Sequence, residues 1–352
     1  MKQGYSPGNK TIKNTPPEAP EKTGDDPTNV DHPWEDDNQA WWDWYLTLAD
    51  NNSEYSTDHV DLPNDVAVTP ADNDTVAMAL AEPYPLSSGQ IADFRANGYV
   101  KLPDVLSPPL VSRLRLAIRT YLEDRFKVSL DGGVTARFLS AEMAWLDDPA
   151  LRAFTLSPRI AGIAAALIGA DAVRLYHDNL LSKEPGSGRT PWHYDDHHFP
   201  LATDQVLTAW IPAQPIPRAM GPLAFAKPIN VWQLVKDVPF DKTNTSYDRR
   251  VAEIFRKQNV AVEDGPFAMG EVSFHHNLSF HTAGPNRTTH SRMVLANTFY
   301  ADGARLVDRP TMVSGDWQKF LPGVAPGGLA ASPLNPVCWP QANMTGKDEN
   351  HG

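Results

Sequence analysis

The feature that most constrains this chain is a histidine and an aspartate two residues apart, His193 and Asp195, in a segment rich in His, Asp and aromatic residues. A further histidine, His281, lies downstream, and Arg292 follows it by eleven residues. Two imidazoles and one carboxylate that occupy one face of an ion and leave the other face open are typical ligands of non-haem Fe(II). An arginine at this spacing is suited to hold a carboxylate in a bidentate clamp. The pattern predicts a metal site with an anion site beside it.

A His-x-Asp pair is weak evidence by itself, because 11 His and 43 acidic residues give about one His-x-acid pair by chance. His59 and Asp61 form such a second pair, and a solvated histidine in the acidic N-terminal region is the better interpretation there. His193 has a different context, since it follows a Pro/Gly-rich segment and precedes a predicted strand. Alternate side chains of a strand point to the same side, so His193 and Asp195 are the favoured ligands.

The identity of the third ligand is less constrained. His275 and His276 come just before a plausible strand end, and either is an alternative to His281. His281 is preferred because the turn after it leads into the strand that carries Arg292. A zinc site built from neighbouring histidines is disfavoured, since structural zinc sites favour cysteine ligands and the chain has a single cysteine, Cys338.

The charge of the chain is unevenly distributed. Residues 1–85 hold 17 Asp and Glu against 4 Lys, whereas the remainder holds 26 acidic and 27 basic residues. The remainder therefore lacks the basic surface that nucleic-acid binding requires, and no nucleic-acid partner is predicted. No run of eighteen apolar residues or signal-peptide core is present, so no membrane partner is predicted either. A lone Cys338 cannot form an internal disulfide, which favours a cytoplasmic location.

Helical patterns come first along the chain and strand patterns follow. Ser87 and Gln90 have capping-box spacing before a short helix that ends at Gly98, and longer helices are predicted after Ser107 and Ser157. Helices followed by strands imply an α+β domain with a β-sandwich or barrel core. The predicted strands are Tyr99–Leu102, Val173–Tyr176, Val206–Ile211 and Met293–Tyr300.

These patterns predict four segments. Residues 1–30 lack apolar periodicity and are expected to form a disordered tail. Residues 31–85 form an acidic, Trp-rich extension, residues 86–320 form the main domain, and residues 321–352 form a C-terminal tail.

Two segments have more than one interpretation. The extension holds four tryptophans within eleven residues, which we expect to be covered rather than solvated. A helix packed on the outside of the main domain is favoured there over a lid or a dimer contact. Residues 231–269 hold apolar residues at helical spacing, and a surface helix and a substrate lid are equally supported. The tryptophans are Trp34, Trp41, Trp42 and Trp44.

The chain resembles the phytanoyl-CoA dioxygenase family of Fe(II)/2-oxoglutarate-dependent oxygenases between Leu86 and about Tyr300. The order and spacing of several segments are more specific than the three ligands alone. The segments that carry the resemblance are Gln90–Val100, Lys183–Gly188, Trp192–Asp195, Thr208–Pro212, Met220–Phe225, Gly270–Val272 and His281–Arg292.

The resemblance implies a double-stranded β-helix, a jelly-roll or cupin-like core, flanked by N-terminal helices. It implies that His193, Asp195 and His281 hold Fe(II). It also implies that Arg292 grips 2-oxoglutarate as co-substrate and that Trp210 lies against this co-substrate. Dioxygen is then the oxidant, with ascorbate as an optional stimulant.

Two departures from the family pattern concern the substrate rather than the metal. Lys227–Asn230 stands where the family commonly has Pro-Gly-Ser-His, and Tyr194 stands where a glutamine is usual between the two ligands. Neither departure removes a ligand. Both lie near the place where the substrate would be held. The resemblance therefore does not predict that this chain acts on the family's substrate.

The function predicted from these features is the oxidation of a small molecule, most simply a hydroxylation, with release of succinate and CO2. Asp195 favours hydroxylation over halogenation, because a halogenase needs that coordination position for a halide. Two alternatives remain, a non-catalytic barrel that binds a metal or ligand and a zinc-dependent hydrolase with the same three ligands. The sequence predicts no oligomeric state.

Overall fold

The computed structural model describes residues 38–50, 68–130, 133–239, 244–310 and 317–340. Its helices are α1 Asn38–Leu46, α2 Asn73–Ala81, α3 Ser88–Asn97, α4 Pro108–Phe126, α5 Pro149–Thr155, α6 Pro158–Ile168, α7 Ser246–Lys257 and α8 Trp317–Phe320. Its strands are β1 Tyr99–Leu102, β2 Phe138–Glu142, β3 Val173–Lys183, β4 Thr190–His193, β5 Val206–Pro212, β6 Leu223–Lys227, β7 Ala261–Glu263, β8 Val272–His276, β9 His281–Ala283, β10 Arg292–Ala301 and β11 Val337–Trp339.

Two antiparallel sheets form the centre of the described chain. The larger sheet has seven strands in the order β1-β8-β5-β10-β3-β11, with β2 also paired to β3. The smaller sheet has four strands in the order β4-β9-β6-β7. The predicted α+β class with a jelly-roll core is confirmed, and the strand order shows that most neighbours in the sheets are distant in sequence.

The strands of the larger sheet present alternate residues to two different cores. From β10, Val294 and Ala296 join Leu223 and Phe225 of β6 in an apolar cluster between the sheets. The intervening residues of β10, such as Leu295, join the cluster on the other face. This is the period of two expected of a strand that is buried on both faces. The interior of the double-stranded β-helix lies between the two sheets.

Helices cover the outer face of the larger sheet. The capping box predicted at α3 is present, because Ser87 accepts from the backbone of Gln90 while the Gln90 side chain accepts from the backbone of Ser87. Gly98 ends α3 with a φ of 81°, a left-handed conformation that favours glycine. Both features place β1 directly after the helix, as the sequence predicts.

The segment Pro149–Ile168 is long and apolar enough to span a membrane when only length and hydropathy are considered. In the structure it is two helices, α5 and α6, which are separated at Leu156 and Ser157. Apolar side chains from both helices, including Phe154 and Ile160, are fully buried in the main core. The segment therefore contributes to the packing of the domain.

Described elements on both sides of residues 86–320 pack onto the same core. Val76 and Leu80 of α2 are buried in the main apolar cluster, and β11 pairs with β3. The apolar core of the described chain therefore includes residues before Leu86 and after Phe320, while the predicted segment bounds stay predictions. The predicted disordered tail and the His59–Asp61 pair lie outside the described residues.

A third apolar cluster lies on the outside of the smaller sheet. Val251 and Phe255 of α7 are buried there against Trp192 and Phe280. The segment 231–269 thus contains a helix that covers the sheet, which is the surface-helix interpretation of the sequence.

Candidate metal centre

Three side chains from two adjacent strands converge at the end of the smaller sheet. His193 at the end of β4 is paired in register with His281 at the start of β9, and Asp195 follows β4 by two residues. One ligand atom from each of the three residues lies within 4.8 Å of the others. The Asp195 Oδ1 atom is 3.8 Å from His193 Nε2 and 3.7 Å from His281 Nε2. The residues predicted to hold a metal are therefore brought together.

Both imidazoles are oriented by backbone carbonyls. His193 Nδ1 lies 2.8 Å from the carbonyl oxygen of Pro191, and His281 Nδ1 lies 3.0 Å from that of Ser279. A carbonyl oxygen accepts only, so each Nδ1 carries the proton and each Nε2 presents its lone pair to the common point. This is the arrangement by which backbone contacts fix metal-binding histidines.

The local electrostatics favour neutral histidines beside an ionised aspartate. Burial lowers the pKa of His193, and burial followed by the charge of His193 holds the pKa of His281 well below its ordinary value. Burial alone would raise the pKa of Asp195, but His281, His275 and His193 outweigh it and lower this pKa. Neutral imidazole and ionised carboxylate are the forms that bind a metal ion, so the donor set fits Fe(II).

The two alternative histidines have other contacts. His275 Nε2 lies 3.2 Å from Asp195 Oδ2 on the inner face of β8. The Thr208 hydroxyl donates to the same carboxylate oxygen at 3.3 Å. His276 Nδ1 accepts from the backbone of Leu278. The geometry thus favours His281 as the third ligand and gives His275 and Thr208 the task of orienting Asp195. The sequence placed Thr208 in a family segment but gave it no role.

Arg292 lies at the other end of the barrel interior, at the first residue of β10. Its side chain is 2 % exposed, one Nη donates to the carbonyl oxygen of Gly221, and Nε is buried with no hydrogen-bond partner among the described residues. Burial lowers the pKa of Arg292 to about 9, so the side chain still carries a charge at neutral pH. A buried, partly unsatisfied guanidinium requires an anion, and a carboxylate fits it.

Trp210 and Gly221 shape the space around this arginine. The guanidinium carbon of Arg292 is 5.3 Å from the centroid of the Trp210 ring. The contact of Trp210 with the co-substrate, which the resemblance implies, stays a prediction. Gly221 has a φ of 72°, and a Cβ there would lie only 2.2 Å from the carbonyl oxygen of Gly284. Only glycine therefore allows the two turns to meet beside Arg292.

Lys183 is buried next to Arg292, since the two residues are paired in register between β3 and β10. Burial, followed by the charge of Arg292, lowers the pKa of Lys183 well below its ordinary value. Its ammonium group donates to the carbonyl oxygens of Gly188 and Gly284 at 2.9 and 2.8 Å. These contacts fix the two loops that flank the site.

The helix α1 lies against the metal centre, which the sequence did not predict. The ring of Tyr45 is 5.7 Å from that of His193, and the ring of Trp41 is 5.5 Å from that of His198, both in edge-to-face geometry. Trp42 packs on Phe138 of β2. The cluster of tryptophans in the sequence indicates that this helix is packed against another surface, but it does not indicate which surface.

Comparisons with known proteins agree with this geometry. A family model of phytanoyl-CoA dioxygenase (PhyH) matches residues 94–294, more than half of the chain, and no curated protein sequence matches significantly. The non-haem α-ketoglutarate-dependent carbocyclase SnoK from nogalamycin biosynthesis is 26% identical, with a TM-score of 0.59 over 73% of this chain and 99% of that chain.

Two further solved structures share the fold. The epimerase SnoN from nogalamycin biosynthesis is 24% identical, with a TM-score of 0.55 over 71% of this chain and 97% of that chain. EctD from S. alaskensis, with 2-oxoglutarate and 5-hydroxyectoine, is 20% identical, with a TM-score of 0.53 over 78% of this chain and 97% of that chain. With the matched family model, these findings show that the chain belongs to the phytanoyl-CoA dioxygenase family and is an Fe(II)/2-oxoglutarate-dependent enzyme that uses O2.

Proposed function

We propose that the enzyme hydroxylates a small molecule at a C–H bond held beside His193, Asp195 and His281. In this proposal the three residues hold Fe(II), and Arg292 holds the distal carboxylate of 2-oxoglutarate against Trp210. The bound iron supplies the redox chemistry that couples decarboxylation of 2-oxoglutarate to oxidation of the substrate. The released products are succinate, CO2 and the oxidised substrate.

The observation that carries the proposal is the pairing of two sites in one barrel interior. Three ligand atoms meet within 4.8 Å, and the buried guanidinium of Arg292 lacks a partner for Nε among the described residues. The first site suits a cation and the second suits a carboxylate. Neither a zinc hydrolase nor a non-catalytic barrel with the same three ligands would need a buried arginine that binds a carboxylate.

The chain's own residues prepare the reaction in three ways. Carbonyl oxygens orient His193 and His281, while His275 and Thr208 orient Asp195. The burial of these side chains limits the access of water. Asp195 would supply the carboxylate ligand whose place a halogenase leaves to a halide, which supports hydroxylation.

The test is aerobic incubation of the full-length protein with Fe(II), 2-oxoglutarate and a panel of small molecules, with ascorbate as reductant. We expect succinate release and, for the true substrate, a product that has gained one oxygen atom from 18O-labelled O2. A product with a new ring or an inverted centre and no added oxygen would overturn hydroxylation. Because the similar structure SnoK is a carbocyclase, ring formation without added oxygen is the second candidate reaction.

We also propose a cytoplasmic location for the protein. The support is its single cysteine, Cys338, which is buried and free in the structure. Fractionation of cells that express the tagged protein tests this, and recovery from an oxidising compartment would contradict it.

A further inference from the structure

The helix α1 contacts both the metal centre and the strand β2, whose partner strand β3 carries Lys183 beside Arg292. Near its C-terminus, Tyr45 meets His193 with ring centroids 5.7 Å apart. One turn earlier in the helix, Trp42 meets Phe138 with centroids 4.6 Å apart, and Phe138 pairs in register with Lys183, the cross-strand neighbour of Arg292. Trp42 and Leu46 also pack onto the apolar cluster between the sheets. One helix therefore bounds the space that both sites face.

The first turn of α1 is tied to the larger sheet. The Gln39 side chain donates to the carbonyl oxygen of Phe138 and accepts from the backbone N–H of Ser140 at 3.0 Å. The side-chain amide thus extends the hydrogen bonding of β2 much as a neighbouring strand would.

The residues after α1 are tied to the smaller sheet and α7. The backbone N–H of Asp50 donates to Asp248 Oδ2 at 2.7 Å, and Arg189 donates to the carbonyl oxygen of Asp50 at 2.8 Å. Arg189 and Asp248 form a salt bridge of 2.8 Å, and Asp248 is 1 % exposed. Its second oxygen accepts from the backbone of Trp192. Hydrogen bonds in its first turn and after its end, at Gln39 and Asp50, hold α1 in place beside the active site.

The side chains that α1 presents to the metal centre are aromatic. The rings of Trp41 and Tyr45 stack with centroids 4.6 Å apart, and they meet the rings of His198 and the ligand His193, respectively, edge to face. The charged pair that the structure places nearby, Arg189 and Asp248, is engaged by its mutual salt bridge and by hydrogen bonds to the backbone of Asp50 and Trp192. Such aromatic side chains contact ring faces favourably, and neither indole nor phenol carries a formal charge that could pair with a charged group.

We propose that Trp41 and Tyr45 form the wall on which the substrate packs beside the metal centre, and that the substrate is an uncharged molecule with a planar ring face. The proposal rests on the proposed function, because it requires the metal centre to be the place of reaction. It names two substrate-contacting residues outside the region matched by the family model, which begins at residue 94.

The test uses full-length protein with Fe(II) and 2-oxoglutarate under anaerobic conditions, and 2-naphthol as the probe in equilibrium dialysis. We expect saturable binding to the wild type and binding that is about tenfold weaker in Trp41→Ala and in Tyr45→Leu, since each loses an aromatic contact. Tyr45→Phe keeps the ring and should bind like the wild type. The charged analogue 2-naphthoate should bind about tenfold more weakly than 2-naphthol to the wild type.

Trp44→Ala is the matched control, because Trp44 contacts Trp41 and Tyr45 within the same helix. It should bind 2-naphthol like the wild type. Unchanged binding in both Trp41→Ala and Tyr45→Leu, absence of saturable binding in the wild type, or tighter binding of 2-naphthoate would each overturn the proposal. Failure of the proposed function appears separately, as the absence of a visible charge-transfer band in iron-loaded wild type with 2-oxoglutarate before any probe is added.

Discussion

At the scale of the residue, His193, Asp195 and His281 are predicted to be irreplaceable. A site with three protein ligands has none to spare, so His193→Ala, Asp195→Ala and His281→Ala should each abolish succinate release. His275→Ala should lower metal affinity by only about 10- to 100-fold, because His275 contacts Asp195 rather than completing the ligand set. Succinate assays measure the loss of activity in the ligand variants, and metal titration measures the affinity of His275→Ala. Loss of iron in His275→Ala with retention in His281→Ala would assign the third ligand to His275.

Arg292 is predicted to determine the affinity for 2-oxoglutarate. Arg292→Leu removes charge-assisted hydrogen bonds from a buried site, and we expect the KM for 2-oxoglutarate to rise by about two orders of magnitude or more. Arg292→Lys should recover only part of this affinity, since an ammonium group lacks the planar fork. Steady-state kinetics with varied 2-oxoglutarate measure the effect. An unchanged KM in Arg292→Leu would place the co-substrate elsewhere.

Asp178 is predicted to make stability depend on pH. Burial raises its pKa to about 7, Oδ2 accepts from the backbone of Trp145, and Oδ1 is buried with no hydrogen-bond partner among the described residues. The folded protein thus favours the protonated carboxyl, whose stabilising effect is complete below the unfolded pKa and is lost as pH rises towards 7.

Asp178→Asn removes this titration while keeping an acceptor for Trp145. The variant should be more stable than the wild type at pH 8, by on the order of 4 kcal/mol at most, and its Tm should vary less with pH. Thermal unfolding at pH 5 and pH 8 measures both. A wild type whose Tm is already independent of pH over this range, with no gain in the variant, would contradict the account of Asp178.

At the scale of the element, α1 and α2 are predicted to contribute differently to stability. Removal of residues 1–67 takes away α1 and exposes Phe138 and its neighbours at the barrel mouth, whereas removal of residues 1–85 also takes away Val76 and Leu80 from the main core. Each buried aliphatic side chain contributes about 2–5 kcal/mol. The longer truncation should therefore melt at a clearly lower temperature than the shorter one in calorimetry. Equal melting temperatures would mean that α2 does not belong to the cooperative unit.

At the scale of the whole molecule, the parts of the fold set by local sequence were predictable. The capping residues of α3, the start of α6 after Ser157 and the spacing of His193 and Asp195 depend on neighbours along the chain. The placement of α1 was not predictable, because Gln39 meets Ser140 and Arg189 meets Asp248 only after both sheets have formed. The role of Thr208 likewise depends on the register that sets β5 beside β8 and β10.

The central claim is that one barrel interior holds a cation at His193, Asp195 and His281 and a carboxylate at Arg292. The most direct measurement is the absorption spectrum of the anaerobic, Fe(II)-loaded protein during titration with 2-oxoglutarate. We expect a weak visible charge-transfer band that saturates in the wild type, fails to form in Asp195→Ala, and requires far more 2-oxoglutarate in Arg292→Leu. A wild-type protein that binds iron yet forms no band, or a band unaffected by either substitution, would show that these residues do not form the paired cation and carboxylate sites.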